Sequence, residues 1–165
     1  MKMELIQPFI NAADAVLAET LKCPTRIGDV SMDEETYRRK GMAALINVQG
    51  DIQGRVIFDI KTTTAAKIAS ALAGEEVGES DEMVRETVCE LANLVIGNAV
   101  TTLNDQGFTF KIMPPEVHSS EIGLKGSEDT EALVLVFETN AGSVYMNIAM
   151  HYNRRRRAER TMSPA

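Results

Sequence analysis

"MAALINVQGDIQGRVIFDI", Met42 to Ile60, decides the fold class. Two runs of strand-forming residues flank Gly50-Asp51, a turn composition between two strands. In the second run Val56, Phe58 and Ile60 alternate with Arg55 and Asp59, a period of two that turns one face inward. Gly54 interrupts that run and is expected to mark a bulge or twist point. The stretch predicts an antiparallel hairpin.

Working outward, "RIGDVSMD" (26–33) reads as a further strand. Before it, Leu5, Ile6, Phe9, Ile10, Ala13, Val16, Leu17 and Leu21 recur at three- and four-residue steps, the stripe of an amphipathic helix. Pro8 is tolerable there only near the first turn, and Pro24 pushes Cys23 out of helical geometry, which ends the helix. After the hairpin, "KTTTAAKIASALAGEE" (61–76) returns to helix, with a threonine as the expected N-cap and Gly74 as the stop. The acidic "EEVGESDE" links it to a long helix capped by Ser80 or Asp81.

Beyond Gly107, "FTFKIMPPEVHSS" reads as one strand stopped by Pro114-Pro115, followed by a polar loop over 119–130. In "ALVLVFETNAGSVYMNIAM", Val144, Met146, Ile148 and Met150 alternate after an Asn140-Ala141-Gly142 turn, a second hairpin. Strands in hairpins with helices grouped between them indicate an α+β domain. The expected architecture is an antiparallel sheet of about six strands with three helices, the two longer ones packed on the sheet. One domain is expected over 1–151, with a basic, disordered tail over 152–165, because "NRRRRAERTMSPA" has no apolar face.

The chain has 165 residues, enough for one full core, and its 44% hydrophobic and 25% charged residues are those of an ordinary globular protein. A net charge of −7 argues against a dedicated nucleic-acid binder, whose affinity comes from neutralising phosphates. The Arg154–Arg157 run then reads as a solvated end, with neither nucleic acid nor membrane as partner. Cys23 and Cys89 fit no metal spacing and no disulfide framework, and are expected to be buried, reduced thiols. Glu4, Asp14 and Glu19 punctuate the N-terminal stripe, so it reads as a structural helix rather than a signal peptide, and a cytoplasmic location is expected.

Phosphate-binding glycine motifs, H-E-x-x-H and G-x-S-x-G are all missing, and His118 and His151 lie far apart in the chain. What remains is "RETVCELANLVIGNAVTTLN", Arg85 to Asn104. At 100° per residue, Val84, Val88, Leu91, Val95 and Ala99 form an apolar row, and Cys89, Ala92, Ile96, Val100 and Leu103 widen it. A narrow strip is left over: Glu86, Glu90, Asn93, Gly97, Thr101 and Asn104. It reads either as a solvated face or as a functional one. Mid-helix Asn and Gly cost roughly 0.5–1 kcal/mol each against Ala, which a merely solvated face gains nothing by accepting. A paired-carboxylate acid/base site fits poorly because no second acidic pair stands out to build it, and a metal site because Glu86 and Glu90 would have to recruit ligands from elsewhere.

In these residues the sequence resembles the CheC/CheX/FliY family of bacterial chemotaxis phosphatases, its CheX members most closely. The family pattern is Asp or Ser, three residues, Glu, two residues, Asn, then a distant Pro. "CELANLVIGNA" supplies Glu90 and Asn93, and Pro114 and Pro115 in "KIMPPEV" follow at a CheX-like distance. "INVQGDIQGRVIFDIKTTTAAKIASALAG" and "FINAADAVLAETL" resemble the family's hairpin and opening helix, so the likeness spans most of residues 5 to 150. Glu86 departs from the family's Asp or Ser and is left out of the catalytic set.

The resemblance implies a phosphatase that acts on an aspartyl-phosphate response regulator, CheY-P. It implies that Asn93 positions the attacking water and that Glu90 pairs with a lysine of the regulator. Gly97 would let a partner or a neighbouring helix approach closely. Mg2+ would belong to the regulator, with no cofactor in this chain, and the protein would form a homodimer. Two alternatives stay open at this stage: a non-catalytic docking module for response regulators, and a structural component like the flagellar-switch relatives.

Overall fold

The structure, a computed structural model, describes residues 3–33, 40–78, 80–118 and 132–153. The elements run α1 (Met3–Leu21), β1 (Arg26–Asp33), β2 (Met42–Gly50), β3 (Ile52–Ile60), α2 (Thr62–Ala73) and α3 (Asp81–Asp105). They continue with β4 (Phe110–Ile112), β5 (Glu116–His118), β6 (Ala132–Thr139) and β7 (Gly142–Tyr152). The expected loop over 119–130 and the tail beyond Asn153 lie outside the described residues.

One antiparallel sheet has the order β1-β6-β7-β3-β2-β4, with β5 also paired to β2. It is an α+β sheet of about six strands as expected, with seven among the described residues because two of them are short. The extra strand arises where one strand was expected: β4 and β5 both pair with β2, separated by Pro114-Pro115. Prolines offer no amide hydrogen to a ladder, so the strand breaks there and resumes after them.

The Met42–Ile60 hairpin forms with Met42 opposite Ile60 and Val48 opposite Gly54, without a slip in register. Gly54 is therefore not a bulge. Its φ is +148°, and a Cβ there would lie 1.9 Å from the Ala149 carbonyl oxygen of β7. Glycine is required for that close approach. The sheet's irregularity falls instead in β1, between Ile27 and Val30.

All three helices lie on one face, α1 against α3 and β7, α2 against α3 and β7, and α3 against β2 and β3. Leu5, Phe9 and Leu17 of α1 and Val88, Leu91 and Val95 of α3 join Ile46, Phe58, Met146 and Ile148 of the sheet in one core. Each large side chain fully buried this way stabilises the fold by roughly 1.5–3 kcal/mol, more than any single helix preference opposes. The other face of the sheet is partly buried as well. Arg55 is 6% exposed and Asp59 fully buried, and the Asp59 carboxylate accepts from the backbone N–H groups of Lys40 and Gly41 at the entry to β2. Ala43 and Ile57 form a small second cluster there, with Leu45 against it.

The helix ends match the sequence except at one cap. Lys22 takes φ +52° after α1, and Gly74 closes α2 in the left-handed region, its N–H donating to the Ser70 carbonyl. Pro8 sits in the second turn of α1. The N-cap of α2 is Lys61 with no side-chain cap bond, so the expected threonine cap is not made; Thr62 is already helical. Ser80 caps α3 as expected, its hydroxyl accepting from the Met83 N–H at 3.3 Å. Among the described residues no helix is long and apolar enough to cross a membrane.

Candidate functional site

Helix α3 carries the site. Its apolar row, Val84, Val88, Leu91, Val95 and Ala99, is buried against the sheet and α1, with Ala92 and Leu103 beside it. That burial fixes the rotation of the helix and turns Glu86, Glu90, Asn93, Gly97 and Thr101 outward, all exposed. The leftover strip read from the sequence is thus one continuous surface in the fold.

Glu86, Cys89, Glu90, Asn93 and Leu94 line an open concavity of about 430 Å3. Glu90 and Asn93, three residues apart, are brought together in it as the spacing requires. Among the described residues, neither Glu86 nor Glu90 has an ion-pair or hydrogen-bond partner. Asn93 Nδ2 donates to Cys89 Sγ at 3.8 Å, one turn earlier on the same helix. Arg85, which could have neutralised these carboxylates, donates instead to the Val117 carbonyl at 3.2 Å. That bond ties the segment after Pro114-Pro115 to the first half of α3, while neither proline lines the concavity.

Gly97 lies one turn beyond Asn93. A Cβ built on it meets nothing within 4 Å among the described residues, so none of the described helices packs there and their packing does not require glycine at this position. Both cysteines are free and half-buried, where full burial was expected. The sequence reading missed two lining residues, Cys89 and Leu94. Leu94 is 43% exposed although it is apolar. The signal was present, since 100° per residue puts Leu94 off the buried row, but the strip was read from its polar residues and glycine alone.

No group of three or more His, Cys, Asp or Glu among the described residues is arranged to hold a metal ion. Chemically, the concavity offers carboxylates for a cation, an amide that can bond a water, and an apolar contact. It holds no nucleophile with an attached base.

The family model described as "Chemotaxis phosphatase CheX" matches residues 42–138, which include the hairpin and all of α3. A CheY-P phosphatase CheX from Thermotoga maritima is 25% identical over 120 residues, 72% of this chain and 77% of that one. CheX in the CheX–CheY–BeF3–Mg2+ complex from Borrelia burgdorferi is 32% identical, with a TM-score of 0.73 over 88% of this chain and 97% of that chain. A CheC-like superfamily protein from Shewanella sp. PV-4 shares the fold, with a TM-score of 0.81 at 24% identity over 92% of this chain and 99% of that one. The match covers more than half of the chain and contains the exposed Glu-Asn strip: the chain belongs to the CheX family of chemotaxis phosphatases.

Proposed function

We propose that this protein dephosphorylates a CheY-like response regulator by seating the α3 strip over the regulator's phosphoaspartate. The observation that carries the proposal is the placement of Glu90 and Asn93, both exposed and lining one concavity, with no cation on Glu90 among the described residues. Family membership and the likeness to a CheX seen with CheY support the partner.

An acyl phosphate already has a good leaving group, so the step that needs help is in-line attack by water. Asn93 positions that water through its amide, which requires hydrogen bonding and no proton uptake. Glu90 pairs with a lysine of the regulator and fixes the pose in which the amide meets the phosphoryl group. Gly97 leaves the helix surface bare, so the partner's backbone can approach it closely. Mg2+ is assigned to the regulator, where it neutralises charge on the phosphoryl oxygens when bound. The protein shares the cytoplasm with its regulator in this reading.

The same proposal includes a homodimer, and the two sheet edges are unequal candidates for it. One edge is blunted by the short β4 and β5 and their diproline break. The other is β1, eight residues long, with Ile27, Val30 and Met32 about half exposed. A long edge with exposed apolar side chains calls for a covering strand, and self-pairing of β1 provides one. The deciding test of the activity is the decay of a phosphorylated CheY-like regulator with and without this protein. Unchanged decay at saturating protein refutes the proposal.

A further inference from the structure

An amide has two unlike ends: Nδ2 donates and Oδ1 accepts. The Asn93 Nδ2 is turned to the Cys89 sulfur at 3.8 Å, which leaves Oδ1 as the end available to water in the concavity. Cys89 is placed for this task. It is half-buried at the margin of the α3 apolar row, and it lines the same concavity as Asn93.

The chemistry of sulfur suits this position better than a hydroxyl would. Elsewhere in the helices hydroxyls turn back onto the carbonyl four residues earlier. Ser70 bonds Ala66, Thr87 bonds Met83 and Thr101 bonds Gly97 in this way. A serine at position 89 has the same option toward Arg85 and would desert the asparagine. A thiol is a weak donor with little to gain there, and its longer, polarizable sulfur stays available to Nδ2.

We propose that Cys89 is a positioning residue for the reaction: its sulfur holds the Asn93 amide in the rotamer that presents Oδ1 to the attacking water. The inference rests on the phosphatase reading of the α3 strip. It concerns how the amide is held, and it is separable by experiment from whether the amide matters.

The test compares wild type, Cys89→Ala, Cys89→Ser, Asn93→Ala and the Cys89→Ala/Asn93→Ala double variant. Phosphorylated-regulator decay is followed at saturating and sub-saturating protein, with thermal melts as a folding check. Releasing one side chain among its staggered rotamers should slow the maximal rate about 3- to 10-fold in both Cys89 variants. The half-saturating concentration should stay within about 2-fold. The side-chain amide order parameter of Asn93, read by NMR on the free protein, should fall in both. In the double variant the Cys89 change should slow the reaction no further than Asn93→Ala alone, because its effect runs through that amide. A wild-type maximal rate in Cys89→Ala, an unchanged order parameter or full additivity in the double variant overturns the proposal. If Asn93→Ala itself reacts at the wild-type rate, the site assignment fails first, and this inference fails with it.

Discussion

Replacing Asn93 by alanine should move stability and activity in opposite directions, and the structure sets both magnitudes. Asn93 is exposed and, among the described residues, makes one weak bond, to a thiol at 3.8 Å. Alanine is the better helix former by roughly 0.6 kcal/mol, and the lost thiol contact offsets only part of that. The variant should therefore melt at the wild-type temperature or up to about 2 °C above it. Its maximal dephosphorylation rate should fall by roughly 10²-fold, the usual consequence of removing one positioning interaction, equivalent to about 2.7 kcal/mol of barrier. Regulator binding should change much less, because docking is assigned to Glu90. The assay is single-turnover decay of the phosphorylated regulator across protein concentrations, alongside calorimetric melts. A folded Asn93→Ala protein that reaches the wild-type maximal rate would refute the reasoning and leave a docking module without catalysis. A large loss of stability would refute the premise that this face is free in the monomer.

Three further outcomes are expected. Glu90→Ala should weaken regulator binding and activity together at low salt, and the binding difference should shrink at high ionic strength, where an exposed ion pair is screened; titrations at two salt concentrations that give the same ratio count against the pairing. If the proposed homodimer pairs through β1, Val30→Lys should convert it to a species near the 18.1 kDa protomer mass in light scattering, because the charge falls on the apolar edge of β1; a wild-type protein that is already a monomer, or a variant dimer that persists, refutes the β1 pairing. Gly54→Ala should cost on the order of 3 kcal/mol or more, since its Cβ would stand 1.9 Å from a backbone oxygen at a φ of +148°; a melt within a degree or two of wild type contradicts that packing.

Most of the fold was legible because its signals are local. The Met42–Ile60 alternation, the Gly74 stop, the Ser80 cap and the α3 apolar row each depend on a few neighbouring residues, and each is present in the structure. What escaped depends on distant partners. Gly54 looked like a bulge because nothing in its own strand shows that the β7 carbonyl at Ala149 crowds it. The burial of Asp59 was not legible because the backbone it satisfies, at Gly41 and Lys40, lies eighteen and nineteen positions away. Residues 110–118 form two strands rather than one because both can pair with β2 on either side of the prolines. In the site, Glu90 and Asn93 were legible from periodicity as members of an odd strip, and the family resemblance gave them roles. Cys89 was absorbed into the apolar row, because a thiol at the margin of a core reads as core until its neighbour's amide is seen.

The strip also shows why a stability argument alone cannot account for α3. Asn93 and Gly97 together forgo about 1.5 kcal/mol of helix preference relative to alanine, and the Glu86 and Glu90 pair adds a mild repulsion. A domain of this size is stable by only about 5–15 kcal/mol, so the loss is a sizeable fraction. Nothing within the described residues returns it. Gly97 faces open space, the two carboxylates meet no cation, and the only bond of Asn93 is to a weak acceptor. Arg85 lies beside Glu86 yet is committed to the Val117 carbonyl. The unpaired acids therefore keep their attraction for a cation from outside, and the amide keeps an oxygen for a ligand from outside. A solvated face needs neither property, whereas a helix that enters another protein's active site needs both.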